Sequence, residues 1–127
     1  MSRSKERIKR TGEVFTPEEL VLKLLDQIPE EKFQEPKSTF LDNSAGNGNF
    51  LVPLKERLCQ YHPEKHVLDN MIFAVEKEPD NHAELCARLG VPTDHPHFIC
   101  ADALEYEYDF GSKPDKWLNH DLTDFFV

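Results

Sequence analysis

The residues of this chain whose types and spacing could do chemistry are three carboxylates and one small-residue turn. Asp42 opens the stretch Asp42-Asn43-Ser44-Ala45-Gly46-Asn47-Gly48-Asn49-Phe50, Glu76 closes an apolar run, and Asp102 follows another. Glycines at 46 and 48 let the backbone take positive φ and leave no Cβ in the way of a ligand. The helix expected after the turn would present free N–H groups and a positive dipole end toward that ligand. An acid at a strand's carboxyl end sits where open α/β sheets bind their ligands. A single Gly-x-Gly is as often only a turn, and a single strand-end acid is an ordinary loop acid. Three such acids in succession suit a ligand with several hydroxyl and amino donors. In a nucleoside pocket the acid after the second strand accepts from ribose hydroxyls, and acceptors after the third face an exocyclic amine.

The elements that must position these residues follow from the patterning. Residues 1–12 read as a flexible basic arm, with Arg3, Lys5, Arg7, Lys9 and Arg10 against the single acid Glu6. A helix start comes next, with Thr16 as N-cap, Pro17 at N1 and Glu19 closing a capping box. Phe15 and Leu20 are placed for a hydrophobic staple, and Leu20, Val21, Leu24, Leu25 and Ile28 recur at helical spacing up to Pro29. Residues 30–37 read as a charged connection and 38–41 as a short strand entering the glycine turn. The following helix carries Phe50, Leu51, Leu54 and Leu58 on one face, with Pro53 tolerated in its first turn.

Residues 60–70 read as a polar linker. Residues 71–75, Met-Ile-Phe-Ala-Val, form a continuous apolar run, as expected of a parallel strand covered on both faces. A helix with Ala83, Leu85, Cys86 and Leu89 inward and Gly90 as its stop leads to a third strand over 97–100. The order helix, strand, helix, strand, helix, strand implies a βαβαβ half of a doubly wound sheet. Residues 105–110 alternate like a strand but also fit an acidic loop. Leu122, Phe125, Phe126 and Val127 in the tail require burial.

Composition narrows the functional class. At 127 residues, 39% hydrophobic and 31% charged, the chain reads as one soluble domain without a membrane span or signal peptide, hence cytoplasmic. The net charge of −9 makes the body a poor binder of a phosphate backbone, so DNA is expected only weakly or through a partner. Cys59, Cys86 and Cys100 read as reduced, mostly buried thiols.

With these motifs in order, the chain resembles the S-adenosylmethionine-dependent adenine-N6 DNA methyltransferases of restriction–modification systems. The resemblance covers nearly all of residues 11–110. Gly12-Glu13-Val14-Phe15-Thr16-Pro17 is similar to the family's Thr-Pro entry motif, whose loop lies over the cofactor. The stretch from Asp42 to Phe50 resembles its Asp-Pro-x-x-Gly-x-Gly-x-Phe motif, with Asn43 in place of proline. The resemblance implies a partial Rossmann-like methyltransferase fold, α/β with a mostly parallel sheet and flanking helices. It places the cofactor-binding domain at 13–110 and a tail or fourth strand at 111–127. It also implies a cofactor set: Phe15, Thr16 and Pro17; Asp42, Ser44, Ala45, Gly46, Gly48 and Phe50; Glu76 at the ribose; Asp102 and Ala103 at the adenine.

The family's Asn/Asp-Pro-Pro-Tyr/Phe motif, which positions the target adenine, does not occur in this sequence. The expectation is therefore the cofactor-binding part of such an enzyme, not catalytically complete alone and without catalytic or metal-binding residues of its own. Its partner would be a second polypeptide completing the methyltransferase, or a further copy pairing along an exposed sheet edge. Residues 121–127 are expected to pair beside the first strand unless another chain does. The alternative is a non-catalytic S-adenosylmethionine-binding or regulatory interaction protein. Leu122-Thr123-Asp124-Phe125-Phe126 resembles a sliding-clamp-binding peptide and would serve as its docking tail.

Other chemistry-bearing residues read as structural. His62 and His66, and His95 and His97, lie in polar connections without a tetrahedral set and read as surface histidines. Cys100 reads as a buried strand cysteine, Trp117 as an anchor, and Glu78 as a weaker ribose partner than Glu76.

Overall fold

The structure is a computed structural model that describes residues 17–111. Phe15 and Thr16, the basic arm, Trp117 and the whole of 121–127 lie outside the described residues. So do the readings of the tail as a fourth strand or clamp peptide.

The elements are α1 (Glu18–Asp26), α2 (Glu30–Gln34), β1 (Phe40–Asp42), α3 (Leu51–Leu58), α4 (Glu64–His66) running into a wide helical turn (Val67–Met71), β2 (Ile72–Glu76), α5 (Pro79–Leu89) and β3 (Phe98–Cys100). The three strands form one parallel sheet in the order β1-β2-β3. Asp42 pairs with Ala74, and Glu76 with Cys100. The molecule is thus a mixed α/β protein with a small parallel sheet.

Strand alternation divides the core in two. Phe40, Ile72, Ala74 and Phe98 face a helical layer, where Val21, Leu25, Leu51, Leu54, Leu58, Leu85, Cys86 and Leu89 are wholly or nearly wholly buried. Leu41, Phe73 and Val75 face the other way, and Phe110 packs on them together with Tyr106 and Tyr108. Residues 105–110 are accordingly a loop, not a strand, and its aromatic side seals the second sheet face. Tyr108 (φ 59°) and Phe110 (φ 44°) both take left-handed backbone, which is rare for bulky residues. Two hydrogen bonds help hold it: Tyr108 Oη to the Ala103 carbonyl at 2.7 Å, and the Phe110 N–H to Tyr106 Oη at 2.8 Å.

Several expectations are corrected. Helix α1 begins at Glu18, with Pro17 as its cap, and the Pro17 carbonyl accepts the Val21 N–H at 3.0 Å. Only Val21 and Leu25 of its apolar face are buried, while Leu20, Leu22 and Leu24 are exposed. The charged connection contains α2, because Phe33 drives one helical turn onto the core and stacks near Phe40, with ring centroids 6.1 Å apart. The polar linker contains α4 and the turn after it, which bury Val67, Leu68 and Met71. Ala83 is exposed, and the buried positions on that helix's first turns are Asn81 and His82. Gly90 ends the helix in left-handed conformation, φ 76°, as expected.

The minor residues are corrected too. Cys100 is exposed, Cys59 half-buried and Cys86 buried, and all three are free thiols. His97 is not a surface residue: it is 8% exposed and stacks on Phe73 with ring centroids 4.2 Å apart. His62 and His66 bond the Phe33 and Pro36 carbonyls, so they staple α2 and its exit to the next connection. Among the described residues no group of histidines, cysteines and acids could hold a metal, and no helix is long and apolar enough to cross a membrane.

Candidate functional site

Asp42 and Glu76 are the last residues of adjacent parallel strands. Asp42 pairs with Ala74, two residues before Glu76, so both carboxylates leave the same sheet face at its carboxyl edge. Between them lies the turn. The Ser44 N–H donates to Asp42 Oδ1 at 3.1 Å, the Ala45 N–H to the Val75 carbonyl at 3.2 Å, and the Gly46 N–H to Glu76 Oε1 at 2.8 Å. Gly46 has φ 58° and Gly48 φ 99°, conformations that glycine takes at little cost. At Gly48 a Cβ would also stand 2.9 Å from Leu85 Cδ1 and 3.1 Å from Val52 Cγ2. The turn is therefore seated on α5 as well as tied to β2.

Glu76 is only 8% exposed and is held on both oxygens. Besides Gly46, it accepts the Glu78 N–H on Oε2 at 2.9 Å and, more distantly, Asn81 Nδ2 at 3.4 Å. Burial raises the Asp42 carboxyl above its usual range; the Ser44 N–H opposes this, and the negative charge of Glu76 adds to it. Asp102 stands two residues beyond β3 and is partly exposed. Its Oδ1 accepts the Leu104 N–H at 2.9 Å, and Lys77 Nζ lies 3.9 Å from Oδ2. The Ala101 N–H donates to the Glu76 carbonyl at 3.1 Å, which fixes the start of this loop against β2.

The structure thus brings Asp42, Ser44, Ala45, Gly46, Gly48 and Glu76 into one bonded unit, with Asp102 and Ala103 on the neighbouring loop. Ala103 uses its carbonyl to hold Tyr108. Phe50 caps the start of α3 and is half-buried against the helical core. Pro17 is exposed at the start of α1. Glu78 offers Glu76 its N–H and so supports that carboxylate.

Sequence reasoning missed three residues of this unit. Asn81 is fully buried five positions after Glu76 and reaches its carboxylate. Asn47 is 5% exposed, and its Oδ1 has no hydrogen-bond partner. Arg88 donates from Nη1 to the Asn47 carbonyl and to Asn49 Oδ1, both at 3.0 Å. In the sequence Arg88 is simply a last-turn cation, the ordinary charge pattern of a helix end.

Comparison with models of known protein families finds no match, and no curated protein matches the chain.

Proposed function

We propose that this chain binds S-adenosylmethionine as the cofactor-holding part of an adenine-N6 DNA methyltransferase. The observation that carries this reading is the pair Asp42 and Glu76, on one face of adjacent parallel strands, with the double-glycine turn held between them. Acceptor capacity remains at the site. A carboxylate offers about four lone-pair sites, and Asp42 gives one oxygen to Ser44. Charge favours the same ligand class. Asp42, Glu76, Glu78 and Asp102 crowd the edge against Lys77, a field that repels the pyrophosphate of a dinucleotide and attracts a nucleoside bearing ammonium and sulfonium groups. The bound cofactor would supply the electrophilic methyl group, while the protein supplies placement and electrostatics.

Titration calorimetry with S-adenosylmethionine tests the reading. Wild type binds and Asp42→Ala binds at least tenfold more weakly, the scale expected on losing a charged hydrogen bond. Undetectable binding by wild type overturns the assignment. On adenine-containing DNA the chain alone gives no turnover, because the sequence contains no Asn-Pro-Pro-Tyr motif. A neighbouring reading frame that begins with that motif would identify the completing polypeptide.

A second reading, a non-catalytic S-adenosylmethionine-binding or regulatory protein, is favoured by Leu20, Leu22 and Leu24, which α1 leaves exposed. Cofactor binding without turnover, even with a completing polypeptide supplied, would select it.

A further inference from the structure

Glycine permits either orientation of the peptide unit that precedes it, so the turn does not by itself decide which way its N–H groups face. One peptide unit in this turn is pinned at both ends. The carbonyl of Asn47 and the N–H of Gly48 belong to the same plane and point in opposite directions. The N–H reaches the Ala45 carbonyl at 3.0 Å, and the carbonyl receives Arg88 Nη1 at 3.0 Å. The same nitrogen also donates to Asn49 Oδ1 at 3.0 Å, so one guanidinium grips the chain on both sides of Gly48. Leu85, one turn earlier on α5, fills the space where a Gly48 side chain would stand.

The next peptide unit is held by the helix that follows it. The Gly48 carbonyl accepts the Val52 N–H at 2.9 Å, down the axis of α3. The N–H of Asn49 therefore points the opposite way, out of the start of the helix. It takes no acceptor among the described residues. A cation placed behind this donor also adds positive charge to an otherwise acidic edge.

We infer that Arg88 is a positioning residue of this site: it fixes the orientation of the Asn47–Gly48 peptide unit and, through Asn49 Oδ1, holds in place the residue whose N–H faces an anionic group of the ligand. A carboxylate such as that of an amino-acid moiety has the matching chemistry. The inference rests on the cofactor reading above for the ligand, and on the Arg88–Asn47 bond for the turn.

Two measurements on Arg88→Ala, Arg88→Lys and Arg88→Gln separate these parts. In the ligand-free protein, amide hydrogen exchange at Gly48 is expected to quicken about tenfold or more in Arg88→Ala, the scale of a lost charged hydrogen bond. Exchange at Leu54, in the core of α3, serves as the reference for general loosening and stays unchanged. Arg88→Lys and Arg88→Gln, which keep a donor, recover most of the protection. By calorimetry at a temperature where every variant is folded, Arg88→Ala binds S-adenosylmethionine about tenfold more weakly, and Arg88→Lys recovers it. Unchanged Gly48 exchange in Arg88→Ala, or equal loosening of Gly48 and Leu54, overturns the positioning role. Faster Gly48 exchange with wild-type affinity overturns the aiming of the donor. If wild type binds no S-adenosylmethionine, the cofactor reading falls, and exchange alone decides the role of Arg88.

Discussion

Glu76 Oε1 accepts the N–H of Gly46 at 2.8 Å, so the carboxyl end of β2 holds the turn that follows β1. An acid after the second strand is expected to accept from ribose hydroxyls; the bonds Glu76 makes here make it first a latch. Burial sharpens the consequence, because a backbone donor that loses a buried partner also loses access to water.

Glu76→Ala is accordingly expected to destabilise the fold by about 2–4 kcal/mol, since two backbone N–H groups lose a charged acceptor. Glu76→Gln should cost less, because its amide oxygen still accepts one of them. Urea unfolding measures both. A Glu76→Ala variant within about 0.5 kcal/mol of wild type, the scatter of ordinary surface changes, would remove the latch.

Asp42 is expected to trade stability for binding. Its folded-state carboxyl is raised by burial and then by Glu76, with the Ser44 N–H opposing. A raised acid contributes stability below the ordinary carboxylate range and loses it as pH climbs through the folded value. Asp42→Asn removes that loss and can keep the bond from Ser44. It should melt above wild type at pH 7, with the gap closing on acidification, while binding S-adenosylmethionine less tightly. Melting below wild type at pH 7 would contradict this account.

His97 sets an acid limit on the fold. Its ring is lowered to about 4, first by burial and then by His95. The unfolded chain takes up this proton near pH 6.5 while the folded chain resists it, so stability is complete above that value and falls as pH drops toward 4. A shift of that size corresponds to about 3 kcal/mol. Chemical denaturation at pH 7 and pH 4.5 should show much of it in wild type, and little of it in His97→Phe. An equal loss in both proteins would assign the acid sensitivity elsewhere.

Gly48→Ala should cost roughly 2–4 kcal/mol, combining left-handed backbone with overpacking. The added methyl meets Leu85 and Val52. Truncating Leu85 in the same chain removes one of those contacts. The double variant should therefore lose less than the sum of the single changes, a coupling readable in a double-mutant cycle.

The outer edge of β1 carries no neighbouring strand among the described residues. A parallel strand with an open edge invites pairing. Removing residues 121–127 is expected to convert a monomer into a dimer if the tail pairs there. If a further copy pairs there, the full chain is already a dimer. Sedimentation of both forms distinguishes these outcomes. A full chain and a truncated chain that both remain monomeric would remove pairing by the tail and by a further copy.

How far the sequence was legible depends on how each residue's burial is caused. Leu51, Leu54 and Leu58 are fully buried because one helical period puts them on one face, and that period is visible in the letters. The strand ending at Glu76 was equally visible, as an apolar run without breaks. Phe33 was not, because a single aromatic among charges gives no period, and its burial comes from tertiary packing in the helical-side core beside Phe40. The turn at Val67–Met71 was hidden because Val67 and Leu68 sit inside a polar composition and Met71 adjoins the apolar run of the strand, which begins at Ile72. At the site, the letters supplied a carboxylate at 76 but not its donors, which lie thirty residues earlier and two and five later.

The loop that seals the second sheet face is supplied by the last described residues, Tyr106, Tyr108 and Phe110. This has a consequence for synthesis. Strands β1 and β2 are synthesised before Phe110, and at about 5–20 residues per second the interval between Phe73 and Phe110 lasts a few seconds. During that time Leu41, Phe73 and Val75 have helices to form behind them but no cover in front. Any sheet that assembles before Phe110 is added therefore carries a wet apolar face, and that face is where a chaperone would bind.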